Sequence, residues 1–432
     1  MRCRKISVGL TRLILAVLVT GAWAAPKYKV LYTFTGGSDG ANPYAGPILD
    51  ASRNLYGTTF SGGMAGCYGG NGCGVVFRLT PSGSGWTEKV LYAFSGDTDG
   101  QNPEASLIFD SARNLYGVTN FGGVLGGTCN PYGCGIAFEL TPTSNGWTET
   151  VLYDLTETTG QNPVDGLIFD TSGNLWGTGG SGGRYNVGAV FELSQMGEVW
   201  NATTAFSFGG HDNAGIEPIA GMILDGGGNL YGTTSAGGLH NGGAVFEVVH
   251  DTKKVKVLYD FKCDGSGGKC KNGDGGHPWA GLVFDKKDNL YGTTRSGGAH
   301  GYGTVFKLAP SSGGVWKETV IYSFSGGSDG ANPYAGLVFT LPNKLYGTTE
   351  SGGSKTACEG FGCGTVFELT PSSSGQWKET ILHRFNGSDG REPYLGSLAT
   401  DAAGHLYGTA DAGGKAGCFG GYGCGVVFEI TP

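Results

Sequence analysis

Asn54-Leu55-Tyr56-Gly57-Thr58-Thr59 recurs with small changes seven times along the chain, and that recurrence decides the fold. Its aromatic falls at Tyr56, Tyr116, Trp176, Tyr231, Tyr291, Tyr346 and Tyr407, at intervals of 60, 60, 55, 60, 55 and 61 residues. A period of this size marks a tandem array, in which each unit buries its apolar faces against its neighbours. Working outward from the first copy, four short apolar segments make up a unit. They are Pro47-Ile48-Leu49-Asp50, then Asn54 to Thr59, then Gly74-Val75-Val76-Phe77-Arg78-Leu79-Thr80, and finally Trp86 through Phe94. All are rich in β-branched and aromatic residues and are bounded by Gly, Pro and Ser turns, and none is long enough for a packed helix.

Four antiparallel strands repeated seven times predict an all-β, seven-bladed β-propeller; an open β-solenoid or paired smaller propellers are the alternatives. The two ends of the repeat array favour the ring. Tyr28-Lys29-Val30-Leu31-Tyr32-Thr33-Phe34 reads as a fourth strand with no blade before it, and Gly425-Val426-Val427-Phe428-Glu429-Ile430 as a third strand with no fourth after it. The N-terminal strand is therefore expected to complete the last blade and close the ring. Composition agrees: 85 glycines, 4 methionines, 15% charged and 12% aromatic residues fit neither a helical protein nor a charged disordered chain.

Residues 1–24 read as a secretion signal, leaving 25–432 as a single propeller. Arg2, Arg4, Lys5 and Arg12 form a basic leader, Leu13 to Thr20 an apolar run, and Ala22-Trp23-Ala24 a small-x-small cleavage site. The apolar run is short of the roughly 20 residues a retained anchor would need. No later segment reads as a membrane span. Without the leader the chain carries 24 basic and 36 acidic residues, a formal charge of −12, which argues against a nucleic-acid partner.

Strand order divides the loops between two faces. Connections from first to second and third to fourth strand are short and share one face. Second-to-third connections and the loops between blades are longer and share the other, where function is expected. The ten cysteines of the mature chain form five close pairs on that long-loop face: Cys67/Cys73, Cys129/Cys134, Cys263/Cys270, Cys358/Cys363 and Cys418/Cys424. In an exported chain these read as disulfides stapling loops; zinc or redox chemistry would want a His-Cys cluster or Cys-x-x-Cys, and neither accompanies them.

Two aspartate sets recur. Asp39, Asp99, Asp274, Asp329 and Asp389 open Asp-Gly turns in the inter-blade loops, with calcium as the alternative reading, although the Asp-x-Asp-x-Asp-Gly ligand loop is absent. Asp50, Asp110, Asp170, Asp225, Asp285 and Asp401 precede the short hairpins and are expected to cap turns on the opposite face. No cofactor is predicted.

The repeats diverge just after the inter-blade proline. That position holds Tyr44, Trp279, Tyr334 and Tyr394 in blades 1, 5, 6 and 7, and Glu104, Val164 and Ile219 in blades 2, 3 and 4. With blade 7 beside blade 1, the four aromatics form an arc near the inner rim, either a platform for a sugar or peptide or packing beneath the loops. Candidate catalytic groups on this side are Glu104, Asp165, His211, Asp212, Glu217, His277 and Glu392. No nucleophile elbow, His-Glu-x-x-His, phosphate loop or dinucleotide fingerprint occurs.

Gly228-Asn229-Leu230-Tyr231-Gly232-Thr233-Thr234, followed elsewhere by Gly364-Thr365-Val366-Phe367-Glu368-Leu369-Thr370-Pro371, resembles the bacterial tandem-repeat proteins called GloVer-containing or extracellular repeat proteins. The resemblance spans residues 28–432 and implies a secreted or surface-displayed protein, with no catalytic motif to carry over. Members often end in an anchor, whereas here Pro432 directly follows the last repeat, so release or retention through partners is expected. Two functions follow. One is a non-enzymatic extracellular or cell-surface module for glycan or protein binding, adhesion or self-assembly; the other is a secreted carbohydrate-active hydrolase or lyase, which would need a convergent pair of carboxylates or a positioned base.

Overall fold

A computed structural model describes residues 25–432 except 84, 125–128, 130, 211, 212, 264–269, 271, 272, 341, 355, 415, 416, 419 and 420. The expected leader, His211 and Asp212 lie outside the described residues. Seven four-stranded antiparallel sheets form a β-propeller, and α-helix is absent among the described residues. Blade 1 runs outward from the axis through Ile48–Leu49, Leu55–Thr59, Val75–Ser82 and Gly85–Ala93. Blades 2 to 6 repeat this order, and no helix among the described residues is long and apolar enough to cross a membrane.

Each residue of the recurring signature has a separate physical reason. Leu55 is fully buried in the blade. The Tyr56 ring meets Phe109 of blade 2 edge-on at 5.1 Å, while its hydroxyl donates to Asp50 Oδ2 at 3.2 Å. Gly57 pairs with Phe77, and a Cβ there would come within 2.7 Å of the Phe77 ring, so only glycine fits. Thr58 Oγ1 donates to the Ala105 carbonyl of blade 2 at 3.0 Å, and Thr178, Thr233, Thr293 and Thr409 repeat that bond into their neighbours. Thr348 Oγ1 is the exception, buried without a partner. Its neighbour blade 7 carries one extra residue between Tyr394 and Asp401 compared with Tyr44 to Asp50.

The ring closes as the chain ends predict. Lys27–Thr33 pairs antiparallel with Val426–Thr431, in register from Lys27 opposite Thr431 to Thr33 opposite Val426 with one irregularity between Val30 and Tyr32. Across the seam, Arg53 of blade 1 donates to the Tyr407 hydroxyl at 2.6 Å and pairs with Asp401 at 3.3 Å.

All five expected disulfides are present: Cys67–Cys73, Cys129–Cys134, Cys263–Cys270, Cys358–Cys363 and Cys418–Cys424. Each closes its own loop as expected, and the packing adds contacts between blades. A Cβ on Gly96, in the loop leading to blade 2, would fall 2.0 Å from Cys67 Sγ of blade 1, and one on Gly36 would fall 2.2 Å from Cys418 Sγ of blade 7. Cys134 of blade 2 likewise reaches beyond its loop, because its carbonyl accepts from Asn162 N–H at 3.0 Å and its Sγ lies 3.4 Å from Gln161 Oε1, both in the loop entering blade 3. Cys270 departs from the others in direction. Its pair stands in the loop entering blade 5, and a Cβ on Gly297, in blade 5's own second-to-third connection, would fall 2.5 Å from Cys270 Sγ. On the other side, a Cβ on Gly242 of blade 4 would fall 3.0 Å from the Cβ of Cys263. Where blades lack a pair, other side chains fill the same junction: Tyr302 against Gly326, and Tyr185 with Val187 against Gly209. The disulfides thus wedge adjacent blades together on the long-loop face.

Candidate functional site

Three columns of the repeat meet where the axis opens on the long-loop face. The first is the residue before each inter-blade proline. Asn42, Asn102, Asn162, Glu217, His277, Asn332 and Glu392 all adopt left-handed backbone, with φ between 54° and 58°. In this conformation each N–H reaches back to a carbonyl of the preceding blade, as Asn42 does to Cys424 at 2.9 Å and Glu392 to Cys363 at 3.0 Å. Asn tolerates the geometry best, and its side-chain amide adds a second latch: Asn42 Nδ2 donates to the Asp411 carbonyl at 2.9 Å and Asn102 Nδ2 to Phe60 at 2.7 Å. Glu217 and Glu392 hold the same backbone without the preference that asparagine and histidine have for it, a departure of the sort that collects at functional sites.

The second column is the residue after the proline, and the turn directs it to the axis. The four aromatics do more than line an arc; they touch. Ring centroids lie 5.1 Å apart for Trp279 and Tyr334, 4.8 Å for Tyr334 and Tyr394, 5.6 Å for Tyr394 and Tyr44, and 6.4 Å across from Trp279 to Tyr394. Tyr334 is buried at 5% exposure, whereas Tyr44, Trp279 and Tyr394 are half-buried. Burial pushes the Tyr334 hydroxyl up to about 12 and that of Tyr394 further in the same direction.

The third column follows the second strand, one residue past the Thr-Thr pair or its equivalent: Phe60, Asn120, Gly180, Ser235, Arg295, Glu350 and Asp411. Its charged members went unread in the sequence, although the contrast with Phe60, Gly180 and Ser235 at the same repeat position was a visible signal. The Arg295 guanidinium lies over Tyr334 at 5.1 Å and Trp279 at 5.8 Å. Burial and the neighbouring Glu392 raise the Glu350 carboxyl to about 7 against the pull of Arg295. Burial, then Glu392 and Glu350, holds Asp411 well above the ordinary carboxylate range.

The remaining candidates flank this cluster, Glu104 acting on Tyr394 and His277 feeling Arg295 and then Glu217. Glu104 and Asp165 line a small cavity of about 10 Å³ with Trp279, Leu395 and Ile219, about the room of one water and too little for a substrate. Asp165 accepts from Gly166 N–H and Gly221 N–H, both at 2.7 Å, so both oxygens are occupied; burial still raises it, and burial raises Glu104 to about 7. His277 Nδ1 lies 2.7 Å from Ser296 Oγ, and burial followed by Arg295 lowers its pKa. Glu217 is exposed and accepts from Ser235 Oγ at 3.1 Å. No cysteine belongs to the three columns. Cys129 and Cys134 instead line a separate groove with Asp154, Leu155 and Glu157, where blade 2 hands over to blade 3, and Cys270 is half-buried at the entry to blade 5.

Both aspartate sets serve turns. Asp39 accepts from Thr35 N–H at 2.9 Å, Thr35 Oγ1 at 2.6 Å and Tyr32 Oη at 3.0 Å, and Asp99 and Asp329 repeat the arrangement. Asp50 caps its hairpin by accepting from Ser52 N–H and Asn54 N–H, as Asp225 does from Gly227 and Asn229. Among the described residues no group of three or more His, Cys, Asp or Glu side chains is placed to hold a metal ion.

No curated protein matches the chain in sequence. Among solved structures, a fungal alcohol oxidase of the AA5 family in complex with copper superposes with a TM-score of 0.54 at 14% identity, over 94% of this chain and 77% of that one. A candidate 6-phosphogluconolactonase from Bacteroides uniformis gives 0.46 at 13% identity, over 80% and 86%. A protein of unknown function from Dyadobacter fermentans gives 0.40 at 9%, over 94% and 99%. At such identities the likeness shows the fold alone. The repeat itself is matched in residues 18–131, 71–273 and 268–432, and the chain belongs to the Gloeobacter/Verrucomicrobia repeat family.

Proposed function

We propose that the protein is an extracellular binding module that takes a glycan at the mouth of the axis on its long-loop face. The observation carrying this reading is the contact cluster of Tyr44, Trp279, Tyr334 and Tyr394, supplied by four consecutive blades of a ring whose other blades place Glu104, Val164 and Ile219 there. Three half-exposed rings offer apolar faces to a sugar, while Glu350, Glu392 and Arg295 stand beside them as hydrogen-bonding partners. The leader and five disulfides support export to an oxidising compartment. Association with a surface protein or with further copies is the partner reading should no glycan bind.

A glycan array followed by titration calorimetry tests the site. Tyr44→Ala and Tyr394→Ala should each weaken the best ligand about tenfold or more, roughly 1.4 kcal/mol. Met196→Ser, at an exposed hairpin on the opposite face, should leave it unchanged. Equal binding by all three variants would remove the site.

A carbohydrate hydrolase or lyase at the same mouth is the second reading, favoured by Glu350, raised to about 7 beside Glu392 and Asp411, since a proton-holding acid next to a second carboxyl is what such chemistry uses. Incubation with the bound glycan separates the two: product formation abolished by Glu350→Gln selects the enzyme, and an intact ligand selects the module.

A further inference from the structure

We infer that the ligand of this mouth carries an ammonium group, so that the glycan is an amine-bearing sugar; the inference rests on the glycan reading above. Three carboxyls gather at the junction of blades 6 and 7: Glu350 follows the second strand of blade 6, Asp411 follows that of blade 7, and Glu392 precedes the blade 7 proline, its carbonyl accepting from Asp411 N–H at 3.3 Å. Asp411 Oδ1 is buried and has no hydrogen-bond partner. A buried acceptor in that state costs about 1–3 kcal/mol, more for a charged group, unless something donates to it.

The protein's own cations are already engaged. Arg391 Nε pairs with Glu392 Oε1 at 2.5 Å, and its guanidinium lies 4.5 Å from the Tyr422 ring. Arg295 is spread over Tyr334 and Trp279 and also eases Glu350. Burial, then Glu392 and Glu350, raise Asp411 against its own backbone N–H and Arg391, and Tyr394 is coupled to it as well, so acid outnumbers basic side chains around it. No metal-holding cluster forms among the described residues, which leaves an organic cation or a proton to meet the charge.

A sugar hydroxyl would donate to Asp411 Oδ1 and leave the charge unmet. An ammonium supplies three donors and the charge together, and the rings of Tyr44 and Tyr394, over which Arg295 is not spread, attract a cation besides stacking on a ring. The free protein answers the same excess by raising both carboxyls, Glu350 to about 7, so that Glu350 still holds a proton in much of the population at pH 6.5. An arriving ammonium takes over that role, so binding must release protons, which a neutral sugar does not require.

The intact mature protein is titrated calorimetrically at pH 6.5 in two buffers of different ionisation enthalpy. The titrants are a β-1,4-linked glucosamine tetramer, its fully N-acetylated counterpart, cellotetraose and tetralysine. The expected result is that the glucosamine tetramer binds at least tenfold more tightly than either neutral sugar, with net proton release. Asp411→Asn should bring the three sugars within about threefold, and Glu350→Gln, at a half-buried position less tied to folding, should do so in part. Equal binding of the three sugars overturns the ammonium inference and leaves the glycan site standing. A preference for tetralysine over the glucosamine tetramer overturns the sugar assignment, and no binding of any sugar overturns both readings.

Discussion

Ring closure can be tested at one residue in a way that cancels most unknowns. Phe34 follows the N-terminal strand and is fully buried; its N–H donates to Gly425 at 3.1 Å, and its ring meets Tyr32 and Phe77, both at 5.2 Å and both edge-on. Phe208 occupies the same repeat position between blades 3 and 4, where the chain is continuous. It too is fully buried, donates to Gly188 at 3.0 Å, and meets Phe206 at 5.0 Å and Phe246 at 5.1 Å. A buried Phe→Ala change costs about 3–5 kcal/mol through lost transfer energy and the cavity left behind. For a cooperative unit of about 400 residues, an unfolding entropy of about 2 cal/mol/K per residue makes that a fall of roughly 4–6 °C in Tm. Phe34→Ala and Phe208→Ala should therefore give the same ΔΔG within about 1 kcal/mol in urea unfolding followed by tryptophan fluorescence. A cost under about 1 kcal/mol for Phe34→Ala beside the full cost for Phe208→Ala would mean that the N-terminal strand is peripheral, and the closure argument fails.

Two further outcomes follow from the blade junctions. Glu88, Glu149, Glu318 and Glu379 each sit in an outer strand, and burial followed by repulsion from Asp39, Asp99, Asp274 and, for Glu379, Asp329 raises them to about 7 from an ordinary 4.5. A carboxyl raised on folding binds its proton more tightly in the native state. Its contribution is therefore complete below about pH 4.5 and is lost as pH climbs through 7. The hairpin caps Asp50, Asp170, Asp225, Asp285 and Asp401 are lowered and act oppositely, losing their contribution as pH falls below the ordinary Asp value. The urea midpoint should peak near pH 4–6 and decline toward pH 8, with the four Glu→Gln changes together flattening the decline; a midpoint rising from pH 5 to 8 would contradict the assignment. At the disulfide wedge, Gly96→Ala combines φ of 90° with a Cβ 2.0 Å from Cys67 Sγ, and should cost about 1–3 kcal/mol. Replacing Cys67 and Cys73 by Ala relieves that clash, so in a thermal-melt cycle the combined change should be less costly than the sum, and strict additivity would place the disulfide elsewhere.

How much of this was legible depends on whether a residue acts within its own repeat or across to the next. Leu55, Tyr56 and Gly57 read as strand because their burial recurs at every copy, and the unmatched strand sequences at the two ends located the closure. The post-proline aromatics were legible as a column for the same reason: a repeat puts equivalent positions at equivalent places around the axis, so a column that changes from Tyr to Glu, Val and Ile marks a direction on the ring. Ring contacts were not legible, because whether Tyr394 reaches Trp279 depends on blade tilt and on the extra residue of blade 7. Pairings between repeats escaped altogether. The Tyr322 hydroxyl touches both Asp329 and Glu379, residues from a strand, a loop and the next blade's outer strand, and no spacing within one repeat announces them. The disulfide wedges are of the same kind: local pairing was visible in the spacing of six residues from Cys67 to Cys73, but its pressure on Gly96 was not, nor were the reach of Cys134 to Asn162 and the pressure of Cys270 on Gly297. Arg295, Glu350 and Asp411 show the practical consequence. In one repeat each looks like a lone charge after a strand; laid in register beside Phe60, Gly180 and Ser235, they form a charged arc over blades 5, 6 and 7, against the same three blades' aromatics. Two columns depart from the repeat over one arc, and it is this coincidence, rather than either column by itself, that the proposed binding site rests on.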